Sequence, residues 1–72
     1  MKNLKNQVGN RIKESRKAKQ YTQKQVAQIL HMTQQQYSRF ENGIFELDYE
    51  NLYKISQLFD VSIDYLFGLK TY

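Results

Sequence analysis

Four side chains between residues 34 and 39 carry the kind of hydrogen-bonding groups that can read base edges: Gln34, Gln35, Ser38 and Arg39. A glutamine carboxamide donates and accepts in one plane, which matches N6 and N7 of adenine, and an arginine guanidinium can fork onto O6 and N7 of guanine. On a helical wheel with Tyr37 inward, these side chains lie on the outward side, with Gln34 at its flank. Glutamines on an exposed helix are more often only solubilising, so the assignment depends on the elements around them.

Two short helices and a tight turn would position these residues. Residues 23–30 form one predicted helix, and a second begins at residue 34, each preceded by a threonine that can cap it (Thr22 and Thr33). Gln25 lies three residues after Thr22, which is the spacing of a capping box. Between the helices, His31 occupies a position that we expect to have positive φ, because histidine is among the residues enriched there. The pattern is that of a helix-turn-helix over residues 23–42, whose second helix can enter a DNA groove.

A predicted ion pair ties this unit to the first helix. Residues 3–19 read as a helix with Leu4, Val8 and Ile12 on one face, and the same spacing carries Arg16 toward the core. Glu41 points inward on the third helix, so we expect the two charges to pair. The alternative interpretation is an arginine whose stem covers the core while its charge reaches water.

The C-terminal part of the sequence predicts two more helices that complete the core. Asp48 is expected to cap a fourth helix, and Ser62 a fifth. The expected core residues of these helices are Tyr49, Leu52, Ile55, Leu58, Phe59, Ile63, Leu66 and Phe67. The tail residues Tyr65, Leu69 and Tyr72 either pack within the chain or form a dimer interface, as two-fold DNA recognition would require.

Composition and charge narrow the classes of function. The chain has 72 residues, no cysteine, no proline and one histidine, which predicts a single all-helical domain over residues 1–72 with neither a metal site nor a cofactor. No apolar stretch is long enough to span a membrane and no signal peptide is apparent, so we expect a cytoplasmic protein. Residues 1–43 carry nine Lys or Arg and two Glu, whereas residues 44–72 carry two Lys and five Asp or Glu. A basic half is favourable for binding a polyanion, although a solvated surface gives the same pattern.

The segment TQKQVAQIL-HMT-QQQYSRFENG resembles the helix-turn-helix of lambdoid phage repressor and Cro proteins and of the related bacterial xenobiotic-response-element-type regulators. The resemblance extends from Val8 to about Leu69 and includes the closing VSIDYLFG. It implies a compact five-helix, lambda-repressor-like domain that binds double-stranded operator DNA as a two-fold homodimer. Residues matching Gln34, Gln35 and Arg39 would reach bases in the major groove, and Ser38 shares their face.

Phosphate contacts are expected from a second set of residues around the same unit. The resemblance implies them for Gln23, Asn42 and the backbone at Gly43, and we add Lys24 and Gln36. Three positions depart from the family pattern. His31 replaces a usual turn glycine, Ser15 stands where an apolar residue is common, and Ile44 replaces a basic residue that often touches phosphate.

The sequence supports three functional hypotheses. The first is a sequence-specific transcriptional regulator, a repressor that occludes a promoter, with no small-molecule ligand evident. The second is a protein-interaction module such as an antitoxin or antirepressor partner. The aromatic-rich second half of the chain suggests this hypothesis. The third, an enzyme, has little support, because the single histidine and the absence of cysteine leave no candidate nucleophile or base.

Overall fold

The computed structural model describes residues 3–71, which form five helices and no strand: α1 (Leu4–Ala18), α2 (Gln23–Ile29), α3 (Gln34–Glu41), α4 (Tyr49–Phe59) and α5 (Ile63–Leu66). The all-α fold class is confirmed. Helix α3 packs against both α1 and α2, while α1 also contacts α4 and α5. Over residues 3–71, each helix is too short or too polar to cross a lipid bilayer.

The helix starts depend on side-chain caps at four of the five N-termini. Thr22 and Thr33 each accept a hydrogen bond from the backbone N–H three residues on, and a glutamine returns a second bond to complete a capping box. Ser62 accepts from the backbone N–H of Tyr65 at 2.9 Å, and Asn3 caps α1. Asp48 occupies the N-cap position of α4, but its side chain makes no capping hydrogen bond, so that part of the prediction is wrong. The fourth helix therefore relies on packing rather than on its cap.

The helix ends share one backbone motif. Each of the five helices in residues 3–71 is followed by a residue with positive φ, namely Gln20, His31, Gly43, Asp60 and Gly68. After α2, for example, His31 N–H donates to Gln28 at 3.2 Å and Met32 N–H donates to Ala27 at 3.0 Å. This pair of bonds is the Schellman motif, and it satisfies carbonyls that the helix leaves free. The positive φ predicted for His31 is confirmed at 58°.

The core lies between α1, the α2–α3 pair and the two C-terminal helices. Its buried apolar residues are Ile12, Val26, Ala27, Leu30, Tyr37, Leu52, Ile55, Phe59 and Leu66. Two residues expected in the core are exposed instead, Ile63 at 37% and, more strongly, Tyr49 at 92%. Tyr49 lies in the first turn of α4, where it lines an open cleft of about 280 Å³ beside α1, so its ring is left uncovered by residues 3–71. The amphipathic pattern predicts the buried stripe but not how far along the helix it is covered.

One glycine sets the distance between α1 and α3. Gly9 is buried on α1, and a methyl group in its place would lie 2.6 Å from the carbonyl oxygen of Glu41. This distance is shorter than real contacts, so a larger residue would push the helices apart. Close approach here lets side chains of α1 reach the inner face of α3.

Candidate nucleic-acid interface

Helix α3 has one face in the core and one face in solvent. Tyr37 and Glu41 are buried at 0% and 4% exposure, whereas Gln34 and Gln35 are exposed. Ser38 and Arg39, on the same outer side, are half-buried. The anchored inner face holds the outer face in a fixed orientation, which is what recognition by a rigid helix requires.

The predicted base-contacting residues lie together. A shallow concave surface of about 470 Å³ is lined by Gln23, Gln34, Gln35, Ser38 and Arg39. It joins the start of α2 to the outer face of α3. We call it the polar concavity. Its lining is made of amides, a hydroxyl and a guanidinium, all groups able to bond to base edges or phosphate oxygens.

The five residues predicted to contact phosphate differ in how free their side chains are. Lys24 is exposed in the first turn of α2. Gln36 uses its carboxamide oxygen to accept from the Thr33 N–H at 3.0 Å, and Asn42 donates to Ser38 Oγ at 3.4 Å. Gln23 donates from Nε2 to Glu41 Oε1 at 3.0 Å. Gly43 has a positive φ of 73°, and its backbone N–H donates to the carbonyl of Phe40 at 3.2 Å.

An ion pair lies directly beneath this surface. Arg16 Nε donates to Glu41 Oε2 at 2.7 Å, and Arg16 Nη2 donates to Glu41 Oε1 at 3.3 Å. The Arg16 Nη1 group also donates to the backbone carbonyl of Tyr21 at 2.9 Å. The two side chains are 10% and 1% exposed, so Arg16 does not extend its charge into water. The hydrogen bond to Glu41 raises the pKa of Arg16, and it outweighs the opposing effect of burial.

Tyr37 brings a polar group to the same interior. Its hydroxyl is buried and makes no hydrogen bond to any residue between 3 and 71. Burial raises the pKa of Tyr37, and the neighbouring Glu41 carboxylate acts in the same direction, against a smaller opposing effect of Arg16. The hydroxyl is therefore held in its neutral form beside a charged pair.

The geometry of α2 and α3 agrees with the comparisons to known proteins. The family model described as Helix-turn-helix matches residues 12–66. The chain belongs to the helix-turn-helix family. This membership places it among DNA-binding proteins.

Three curated relatives come from Bacillus subtilis (strain 168). The HTH-type transcriptional regulator ImmR is 39% identical over 61 residues, covering 85% of this chain and 48% of the relative. The uncharacterized HTH-type transcriptional regulator YqaE is 44% identical over 55 residues, covering 76% and 47%. The SPbeta prophage-derived uncharacterized HTH-type transcriptional regulator YonR is 40% identical over 58 residues, covering 81% and 54%. The chain thus spans about half the length of these relatives. No solved structure gave a significant match.

The sequence did not predict a contact between the third helix and the loop that follows it. The guanidinium carbon of Arg39 lies 5.6 Å from the centre of the Phe45 ring. From the sequence, Phe45 was only part of the connection between the third and fourth helices. The signal that was available is Gly43, because a glycine after a helix favours a turn that returns the chain toward the last helical turn.

The tail residues considered for a dimer interface are placed differently from one another. Tyr65 is half-buried and packs against the core. Leu69 is 74% exposed, and Tyr72 lies outside the described residues. Within the described tail, Leu69 is the apolar side chain left accessible.

Proposed function

We propose that this helix-turn-helix chain binds operator DNA sequence-specifically, inserts α3 into the major groove and represses transcription by occluding a promoter. The observation that carries the proposal is the polar concavity, in which Gln34, Gln35, Ser38 and Arg39 share the outer face of a helix whose inner face is buried. A major groove is about 12 Å wide and admits one α-helix. Side chains on that face would then meet base edges rather than solvent.

Base readout would be divided among residues of different chemistry. The exposed amides of Gln34 and Gln35 suit adenine, and the forked guanidinium of Arg39 suits guanine. Ser38, which can donate or accept, has little selectivity of its own. We therefore expect most of the discrimination to come from Gln35 and Arg39.

Phosphate contacts would fix the position of α3 in the groove. Lys24 is exposed next to Gln23 at the start of α2, where a cation can reach the backbone flanking the groove. Gln23 keeps a second amide N–H besides the one that donates to Glu41, and this hydrogen can reach a phosphate oxygen. Gln36 in the first turn of α3, and Asn42 and the backbone of Gly43 after its last turn, would add further phosphate contacts.

Two copies would be needed to read a two-fold operator. The apolar side chain of Leu69, four residues after Tyr65 in the chain, is 74% exposed, and Tyr72 follows three residues later in the sequence. Burial of this tail against a second copy would form a homodimer on DNA. Dimers of such domains bind half-sites about one helical turn apart.

The test is selection of bound duplexes from a random DNA pool at near-physiological salt. Enrichment of a two-fold site with half-sites about one helical turn apart supports the proposal. A promoter carrying the selected site in front of a reporter should then be silenced by the chain. Binding that is sensitive to salt but enriches no sequence would contradict sequence-specific regulation.

A second function, a protein-interaction module such as an antitoxin or antirepressor partner, is favoured by the exposed aromatic residues of α4. Tyr49 and Tyr53 are 92% and 62% exposed and lie one helical turn apart. Copurification of one stoichiometric protein that is lost in the Tyr49→Ala, Tyr53→Ala double variant would support this role. It would replace the first proposal only if the parent chain also enriched no DNA sequence.

A further inference from the structure

We infer that Phe45 is a positioning residue for Arg39, and that it sets the specificity of the base read by Arg39 without touching DNA itself. The inference deepens the proposed function and depends on it. Its basis is the placement of the Arg39 guanidinium carbon 5.6 Å from the centre of the Phe45 ring, within the range of a cation–π contact. Arg39 also lines the polar concavity, together with Gln35 and Ser38. One side of Arg39 is thus held by the ring while the side chain remains at the reading surface.

The backbone fixes the ring relative to the arginine. Gly43 N–H donates to the carbonyl of Phe40 at 3.2 Å, and Ile44 N–H donates to the carbonyl of Arg39 at 2.9 Å, which completes a Schellman motif after α3. The N–H of Phe45 is 3.4 Å from the same Arg39 carbonyl. Two consecutive loop residues therefore converge on the peptide unit of Arg39. The turn also requires a glycine at position 43. Its φ is 73°, and a side chain there would clash with Asn6.

Holding the arginine has a consequence for recognition. An arginine side chain is rotamer-rich, and immobilising it in a complex has an entropic cost. A ring that already restricts the guanidinium lowers that cost for the base pair that fits its position. It does not help a wrong base pair, for which the arginine must leave the ring. The contact should therefore increase discrimination more than it increases overall affinity.

The surroundings separate this role from a purely structural one. Phe45 is 50% exposed and is not among the fully buried core residues, so its replacement should leave the fold intact. Tyr49, also an exposed aromatic residue close to it in the chain, has no cation–π contact within residues 3–71 and serves as a matched control. Phe45→Tyr keeps an aromatic ring at this position. Phe45→Leu keeps an apolar side chain but has no aromatic ring.

The experiment is a double-mutant cycle measured on the operator obtained by selection. Four proteins are compared: the parent, Phe45→Leu, Arg39→Ala and the double variant. For each protein, dissociation constants are determined on the operator and on the three operators that carry a different base pair at the position read by Arg39. Phe45→Leu is expected to reduce discrimination at this pair about three- to tenfold. In the Arg39→Ala background the same change should have no effect. Phe45→Tyr should restore discrimination, and Tyr49→Leu should not change it.

The outcomes distinguish the inference from the function on which it depends. Equal losses from Phe45→Leu with and without Arg39 would show that Phe45 acts independently, which overturns the inference alone. Unchanged discrimination in Phe45→Leu, or in Arg39→Ala, would also overturn it while leaving DNA recognition in place. If the parent enriched no DNA sequence at all, both the proposed function and the inference would be wrong.

Discussion

The two faces of α3 hold arginines in opposite ways. On the inner face, Glu41 binds Arg16 of α1 through two hydrogen bonds, and both side chains are withdrawn from water. On the outer face, Arg39 lies against the ring of Phe45 with its hydrogen-bonding groups unused by any ion pair within residues 3–71. The inner arginine is satisfied and stabilises the position of a helix, whereas the outer arginine is held but remains available to bind. Stability and recognition can therefore be altered separately on the same helix of eight residues.

The largest effect is expected from breaking the inner pair. Glu41→Ala leaves the Arg16 guanidinium buried without its carboxylate and removes the acceptor of Gln23. Loss of one partner of a buried pair costs about 3–5 kcal/mol, which is a large part of the stability of so small a domain. The measurement is the free energy of unfolding from denaturant titration.

Its matched control is an exposed ion pair on α4. Lys54 Nζ lies 3.4 Å from Glu50 Oε1, one helical turn away, and the Glu50 and Lys54 side chains are 75% and 42% exposed. Glu50→Ala should cost at most about 0.5 kcal/mol. Similar losses for Glu41→Ala and Glu50→Ala would mean that the inner pair does not stabilise the fold.

Breaking the outer face should have the converse effect. Arg39→Ala and Gln35→Ala are each expected to reduce discrimination by about 1–3 kcal/mol at one base pair of the operator. Neither should change the free energy of unfolding by more than about 1 kcal/mol, because neither residue belongs to the buried core and Arg39 loses only its contact with the Phe45 ring. Competition binding against single-base variants of the operator measures the first quantity, and denaturant titration the second. Loss of affinity that is equal on every sequence would assign these residues to phosphate contacts instead.

Much of this division between the faces was predictable from the sequence because it depends on local rules. Thr22 and Thr33 mark the N-termini of α2 and α3. A helical wheel of α3 places Tyr37 and Glu41 on the inner face and Gln35 and Arg39 on the outer face. The Arg16–Glu41 contact also follows from the sequence, since two lone charges directed into one small core have to meet.

Other contacts were not predictable because they depend on how the chain returns after a helix. The ring of Phe45 reaches Arg39 only through the turn at Gly43, and the hydrogen bond from Gln23 to Glu41 depends on the angle between α2 and α3. The exposure of Tyr49 depends on which turn of α4 is covered by α1. Periodicity gives the direction of a side chain, whereas these features depend on the neighbouring element.

A smaller effect is expected from the inner face at Tyr37. Tyr37→Phe removes a buried hydroxyl that has no hydrogen-bond partner within residues 3–71, so it should raise the free energy of unfolding by about 1 kcal/mol.

The raised pKa of Tyr37 also predicts that the free energy of unfolding depends on pH in the alkaline range. Above the ordinary tyrosine pKa of about 10, the unfolded state loses a proton that the folded state keeps, so stability falls by up to about 1.4 kcal/mol per pH unit. The Phe variant should lack this part of the alkaline slope, and an unchanged slope would contradict the assignment.

The smallest effect concerns the turn that joins α2 to α3 and belongs to neither face. His31 has a φ of 58°, a conformation that is unfavourable by about 1–2 kcal/mol for a residue with a side chain. His31→Gly relieves this strain but also gives the unfolded chain about 0.4–1 kcal/mol of additional conformational freedom. We expect a net gain of about 0.5–1 kcal/mol in the free energy of unfolding, seen as a raised melting temperature. Because both helices keep their caps and their Schellman bonds, the selected operator should stay the same. A changed operator would mean that His31 contributes to recognition, so that stability and DNA recognition are not separable at this turn.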